Sequence, residues 1–401
     1  QENNPRYQTR KVVEKLCKLR QAVLIAGSAT PTVDLMYAAE QGQYQELRLP
    51  TPVNRTQTTA AEVKMIDLRN EFRQGNRETL SQSLRQEIAR NLEKGEQTIL
   101  FLNRRGKHTY VFCRECGHVL KCPECELPLT YHQNGYAPPT LDCHRCDYQI
   151  KPPSTCPNCH GTKIRYLGAG TQQVVADLEK HFPQARLLRV DADTTSGKHV
   201  FEEIYQKLNA HEVDIVIGTQ LIAKGWDLPQ VSLVGVILAE QSLNFPDYNA
   251  GERTFQLLTQ VIGRAGRAAL PGRVLMQSYD TENPYLNFAR QQDYDGFYTH
   301  EIAQRKNYNY PPFTRLIKLE KDFDTEAKAI AASQQLAEKL HSTIATLPGN
   351  DTEVLGPMPA FIVRRRNRYH YLLVLKGQQP DAMLYSVPED WQVDVDPLSL
   401  L

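Results

Sequence analysis

Val213-Asp214-Ile215-Val216-Ile217 runs without a break into Gly218-Thr219-Gln220-Leu221-Ile222-Ala223-Lys224-Gly225-Trp226-Asp227. The first stretch reads as an apolar strand of the kind buried inside a parallel sheet. Gly218-Thr219 then opens a helix whose first amides face outward, an arrangement that suits a nucleic-acid phosphate. Lys224 adds positive charge, and Asp227, after the flexible Gly225, is placed to accept from a ribose hydroxyl. Taken alone, an ordinary strand-to-helix turn explains the same residues.

Outward from this stretch the alternation repeats. Helix 171–181 precedes strand 186–190, helix 197–209 precedes the strand just quoted, strand 231–237 follows, and helix 250–262 leads to strand 272–277. Upstream, helix 80–92 precedes strand 98–102. Still earlier, helix 9–21 precedes a fully apolar strand at 22–26, and Thr30 reads as the cap of a helix whose first position is Pro31. Residues 47–66 are polar, β-like and loosely patterned, and read as a crossing between lobes. This order predicts an α/β fold with a parallel sheet covered by helices on both faces. A helical connector at about 287–308 ends at Tyr310-Pro311-Pro312. Beyond it, strand 313–320, helix 325–346, strands near 353–356, 360–365 and 369–375 and a last strand at 391–395 describe a small α+β unit. The stretch 377–390 leaves room for only a brief helix.

The chain has 401 residues and 41% hydrophobic content, enough for several cores. Its formal net charge of +1 means that any nucleic-acid role must come from local basic patches. No stretch approaches the ~18 apolar residues of a membrane helix. The start, Gln1-Glu2-Asn3-Asn4-Pro5, lacks the apolar core of a signal peptide, and a start without Met suggests a fragment.

Eight of the nine cysteines form four C-x-x-C pairs: Cys113/Cys116, Cys122/Cys125, Cys143/Cys146 and Cys156/Cys159. Each pair is a knuckle offering two thiolates, and two knuckles complete a tetrahedral zinc cage, so the set predicts two Zn2+. Disulfides are the competing reading, but they belong to small secreted domains that lack a core. Cys17 reads as a plain buried thiol on a helix face. The 17 residues between Cys125 and Cys143 fit one ribbon, closed by a hairpin from 127–132 and 139–141. That would leave Cys113, Cys116, Cys156 and Cys159 for an outer site. Sequential pairing, with Cys113, Cys116, Cys122 and Cys125 as one site, is the alternative.

Further segments carry chemistry. Gln260-Val261-Ile262-Gly263-Arg264-Ala265-Gly266-Arg267 sets two guanidinium groups three positions apart at a helix end, with glycines that permit close approach. A helix end favouring its own dipole explains one arginine, not the whole octet. Gly27-Ser28-Ala29-Thr30 is weak by itself, since capping accounts for it. Phe101-Leu102-Asn103-Arg104-Arg105-Gly106 is a strand and a basic turn. Arg364-Arg365-Arg366 and Arg368, followed by Tyr369, His370 and Tyr371, suit phosphates and stacked bases, or else a charged edge strand that resists aggregation.

Together, and in this order, the segments resemble superfamily 2 helicases: motif III at Ser28-Ala29-Thr30, motif IV at Leu100–Gly106, motif V at Gly218–Asp227 and motif VI at Gln260–Arg267. Eight cysteines between motifs IV and V narrow the resemblance to the primosomal replication-restart DNA helicases. It extends over essentially the whole chain, including Val354-Leu355-Gly356-Pro357-Met358-Pro359-Ala360 and Asp394-Val395-Asp396-Pro397. The resemblance implies that Arg264, Arg267 and Gln260 serve ATP hydrolysis, and that Gly225 and Asp227 line the nucleotide cleft. Thr219, Lys224, Arg104, Arg105, Arg364 and Arg365 would face DNA, while Ser28, Ala29 and Thr30 would couple hydrolysis to strand movement. It also implies the nested zinc pairing, ATP with Mg2+ in the full-length protein, and 3′-to-5′ unwinding at stalled or branched forks. The implied partners are forked and single-stranded DNA, primosome proteins, a replicative helicase loader and single-stranded DNA-binding protein, in a bacterial cytoplasm at the nucleoid. The expected organisation is 1–50 (end of lobe 1), 51–110 with 166–290 (lobe 2), 111–165 (zinc insert), 291–311 (connector) and 312–401 (terminal unit). The pattern departs from the family in one respect: neither a G-x-x-x-x-G-K-[ST] loop nor an acidic magnesium box occurs in the chain. The chain alone is therefore expected not to hydrolyse ATP. A non-enzymatic, zinc-stapled DNA- and partner-binding module is the alternative.

Overall fold

The computed structural model describes residues 7–49, 61–102, 109–123, 128–132, 139–143, 148–166, 171–190, 200–219, 230–265, 272–365 and 367–400. Helices α1 (Thr9–Arg20) and α2 (Val33–Glu40) come first. The cap of α2 is Thr32, not Thr30. Thr32 stays extended, and its hydroxyl accepts the Leu35 amide, so the helix starts two residues later than expected. Residues 22–26 also differ from expectation. They join no sheet among the described residues, and Val23 and Ile25 are 87% and 86% exposed. Apolar composition favours burial, but a strand also needs hydrogen-bonding neighbours, and no described strand pairs with this segment.

Strand β1 (Glu62–Asp67) leads into α3 (Leu68–Arg73), α4 (Gln82–Lys94) and β2 (Gln97–Phe101). The cysteine-bearing segment adds β3 (Thr109–Cys113), β4 (Thr130–His132), β5 (Thr140–Asp142), β6 (Gln149–Ile150) and β7 (Ile164–Tyr166). Alternation then resumes with α5 (Thr171–His181), β8 (Leu187–Val190), α6 (Val200–Asn209), β9 (Ile215–Gly218), β10 (Val231–Val236), α7 (Ala250–Ile262) and β11 (Arg273–Ser278). The connector is two helices, α8 (Pro284–Gln291) and α9 (Tyr294–Asn307). Gln292 turns left-handed between them, and Asp293 caps the second by accepting the Gly296 amide.

Six strands form a wholly parallel sheet in the order β1-β11-β10-β2-β9-β8. Strands β2, β9 and β10 are buried along their whole length, which is why they read as unbroken apolar runs. Ile99 and Phe101 enter one core with Val216, Val234 and Phe255. Leu100 and Leu102 enter the opposite core with Leu84, Ile88, Leu178 and Leu233. Strand β1 was legible only as loose β-like sequence because it is a half-exposed edge strand with a single buried residue, Ile66.

The cysteine segment leaves this lobe after β2 and returns through β7 to α5. Its short strands line up as β6-β5-β4-β3-β7 around a small core of Val111, Leu120, Leu129 and Leu141. The terminal part holds β12 (Arg315–Phe323), α10 (Glu326–Ala345), β13 (Glu353–Arg365), β14 (Arg368–Gly377) and β15 (Gln392–Val395), with a brief 3-10 turn at Pro380–Ser386. Its antiparallel sheet runs β13-β14-β12-β15, with α10 packed on one face. The other face meets Tyr248 and Tyr310. No helix among the described residues is long and apolar enough to cross a membrane.

Candidate functional site

The C-x-x-C turn at the end of β3 is held by backbone bonds from Gly117 N to Cys113 O (2.8 Å) and from Cys113 N to His118 O (2.9 Å). Gly117 has φ of +79°, and a Cβ there would stand 2.4 Å from the Tyr279 carbonyl oxygen, so only glycine fits the turn against the lobe. The second knuckle repeats the pattern, with Cys156 N to Gly161 O at 2.8 Å and His160 N to Cys156 O at 2.9 Å.

These knuckles face each other. Cys113 Sγ lies 3.6 Å from Cys159 Sγ, and Cys116 Sγ lies 3.7 Å from Cys156 Sγ. All four sulfurs fall within 4.8 Å of one another. A tetrahedral zinc with bonds of ~2.3 Å requires sulfurs about 3.8 Å apart, whereas a disulfide requires about 2.0 Å. The geometry is that of a metal cage, and the cysteines are unlinked. The Asn158 side-chain amide donates to Cys116 Sγ at 3.6 Å and orients it. Burial pushes the Cys113 thiol up to about 12. A bound cation is what would ionise it, and zinc would there supply a structural staple.

Of the inner set, Cys122 and Cys143 are buried in the core of the same segment. Strands β4 and β5 form an antiparallel hairpin between them, with Thr130 opposite Asp142 and His132 opposite Thr140. Cys125 and Cys146 lie outside the described residues.

Helix α7 carries the next group. Gln260 is exposed on its last turn, Gly263 ends it, and Arg264 follows, buried at 9% exposure. Arg267 lies outside the described residues, as do Lys224, Gly225, Asp227, Arg104 and Arg105. Thr219 is buried at the end of β9, its amide bonded to the Val190 carbonyl at 3.3 Å. The Ser28-Ala29-Thr30 turn docks on α7. Ser28 Oγ accepts the Thr30 amide at 3.1 Å, and Gln256, one turn before Gln260, donates to the Thr30 carbonyl at 3.3 Å. Glu252, one turn earlier again, accepts the Val33 amide at 3.2 Å.

A buried charge hub lies beneath this contact, and sequence reasoning missed it. Arg305 on α9 donates to Glu301 (2.9 Å), Asp34 (3.2 Å) and Glu252, and also to the Pro311 carbonyl (3.1 Å). It therefore joins α2, α7, α9 and the lead-in to the terminal sheet. Burial raises the Glu252 pKa despite Arg305. Burial also penalises the guanidinium, but Glu252 and Glu301 hold Arg305 above its ordinary value. The one local signal was the i,i+4 spacing of Glu301 and Arg305. Arg305→Ala strands the Glu252 and Glu301 carboxylates in the interior, and urea unfolding of the chain should show a loss of about 3–5 kcal/mol.

In the terminal sheet Arg364 is exposed near the β13–β14 tip, its guanidinium 5.5 Å from the Tyr369 ring centroid. Arg365 pairs with Arg368 in the ladder, and Arg366 lies outside the described residues. Arg368 is committed to Asp322 and Asp324. Tyr371, expected to offer a stacking surface, is buried under α10 with Leu373 and Leu375, because alternate residues of β14 face that helix.

Two family models match the chain: "Helicase conserved C-terminal domain" over residues 161–269 and "Primosomal protein N C-terminal domain" over residues 306–398. Replication restart protein PriA of Bacillus subtilis is 39% identical over 399 residues, covering 99% of this chain and 48% of that protein. The PriA of Synechocystis sp. is 38% identical over 414 residues, 99% of this chain and 49% of its own length. That of Haemophilus influenzae is 35% identical over 387 residues, 96% and 50% respectively. The chain thus spans about half the length of the curated relatives it matches. Among solved structures, the C-terminal domain of the DEAD-box protein Dbp5 overlaps with a TM-score of 0.30 at 13% identity, covering 61% of this chain and 98% of that one. The match to the PriA proteins runs through the helicase lobe, the cysteine segment and the terminal sheet alike, and on it this chain belongs to the PriA family of replication restart proteins.

Proposed function

We propose that the chain supplies the second motor lobe, zinc insert and terminal DNA-binding unit of an ATP-dependent helicase. That helicase would move 3′ to 5′ on stalled or branched replication forks and initiate primosome assembly. The observation that carries this reading is the near-complete alignment of the chain with replication restart proteins. On this reading Arg264 and Arg267 meet the γ-phosphate beside Gln260, and Gly225 and Asp227 line the nucleotide cleft. Phosphoryl transfer depends on positioning and charge neutralisation, which suits a pair of guanidinium groups. Thr219, Lys224, Arg104, Arg105, Arg364 and Arg365 face DNA. The docking of Ser28, Ala29 and Thr30 on α7 supports their coupling role, since movement of that turn pulls directly on the helix that bears Gln260 and leads into Arg264. Two Zn2+ hold the insert, one on Cys113, Cys116, Cys156 and Cys159, the other on Cys122, Cys125, Cys143 and Cys146. Primosome proteins, a helicase loader and single-stranded DNA-binding protein are the proposed partners. The division into lobe, insert, connector and terminal unit set out from the sequence belongs to the same proposal.

The test compares forked with linear duplex DNA of equal length and assays phosphate release. The 401-residue chain should bind the fork more tightly and release no phosphate above background with DNA present. Equal affinity for both DNAs removes fork recognition. DNA-stimulated turnover by this chain removes the division of labour between the two lobes.

A further inference from the structure

Most arginines in the described structure are matched to carboxylates: Arg69 to Asp67, Arg85 to Glu78, Arg186 to Asp214, Arg273 to Glu87 and Arg315 to Asp396. Arg73, Arg77 and Arg114 are not. The Arg77 guanidinium sits 3.6 Å from the Phe72 ring centroid, and that of Arg114 sits 5.1 Å from the same ring. Their hydrogen bonds go to neutral oxygens: Arg77 to the Phe72 carbonyl (2.6 Å), Arg114 to the Tyr279 hydroxyl (3.0 Å) and the Arg77 carbonyl (3.4 Å), and Arg73 to the Asn70 side chain (3.0 Å). Among the described residues no bond from these three reaches a carboxylate or a cysteine sulfur. Arg73 and Arg77 are exposed and line a hollow of about 380 Å³ with Phe72, Glu115, Cys116 and Cys159. The carboxylate of Glu115, the one acidic residue there, lies against Gly161 on the second knuckle.

Two like charges on one ring, with Arg73 beside Arg77 in the lining of the hollow, repel each other unless an anion answers them. Planar guanidinium groups with donors to spare match phosphate oxygens in a fork geometry. We infer that Arg73, Arg77 and Arg114 form a phosphodiester-binding site joining α3 of the motor lobe to the first cysteine knuckle. The site holds the DNA backbone where the strand passes the zinc insert. The inference deepens the proposed function and rests on its DNA-binding reading. A competing physical account is that the arginines offset the negative charge of a zinc-thiolate centre.

The experiment measures affinity of the 401-residue chain for fluorescein-labelled forked DNA by anisotropy across a salt series, with zinc content determined in parallel. Each lost phosphate contact lowers the slope of log affinity against log salt by about 0.7–0.9. The variant Arg73→Gln, Arg77→Gln, Arg114→Gln should lower it by about 2 with zinc unchanged. The corresponding triple substitution to lysine should keep the slope near that of the unsubstituted chain. Should the glutamine triple fail to fold, Arg73→Gln alone should still lower the slope by about 0.7. An unchanged slope overturns the inference while leaving fork binding intact. Zinc loss in the glutamine variant, with zinc kept in the lysine variant, assigns the charges to the thiolates and also overturns it. Absence of salt-dependent DNA binding by the unsubstituted chain would instead remove the proposed function on which it rests.

Discussion

Cys156→Ser should lower the zinc content of the purified chain by about one ion and unfold the cysteine segment locally, leaving the parallel-sheet lobe intact. A structural zinc contributes an apparent ~10–16 kcal/mol to folding. The core of the segment, with Val111, Leu120, Leu129 and Leu141, is too small to replace that. The lobe keeps its two cores, because neither draws a residue from the insert. The pH dependence follows from Cys113. Burial holds its thiol up to about 12, so in the metal-free site Cys113 keeps its proton at neutral pH and zinc must displace it. Zinc affinity therefore falls as pH falls. Metal analysis by atomic emission, with limited proteolysis of residues 109–166, checks both parts. Undiminished zinc in Cys156→Ser, with the segment still resistant, would refute the cage described here.

On the proposed function, Arg264→Lys in a protein that carries both motor lobes should reduce DNA-stimulated ATP hydrolysis by about 10³–10⁵-fold in kcat with little change in KM. That corresponds to about 4–7 kcal/mol of lost transition-state stabilisation. Lysine keeps the charge but loses the planar fork that spans two phosphate oxygens. Unfolding midpoints measured alongside separate this loss from misfolding, which matters because Arg264 is buried against the lobe. Hydrolysis within tenfold of the unsubstituted protein would take Arg264 out of the nucleotide site.

Much of the lobe was legible before any coordinates. The periods of α4 and α7 and the apolar runs of β2, β9 and β10 are local signals, and each element forms within a few residues of its expected position. The failures have identifiable causes. Residues 22–26 have strand composition but no pairing neighbour among the described residues, and β1 was blurred because an edge strand is only half apolar. Tyr371 looked available because alternation tells which residues share a face, not which face α10 covers.

Residue order alone determined the α/β class, the four cysteine knuckles and the helicase resemblance, since periodicity and short spacings are carried by neighbours in the chain. Tertiary structure decided which sulfurs meet, Cys113 with Cys159 and Cys116 with Cys156. It also decided that Thr30 rests on Gln256, 226 residues away, and that one arginine gathers Asp34, Glu252 and Glu301. Such contacts join distant segments only after the sheet has set their positions, so no local pattern announces them.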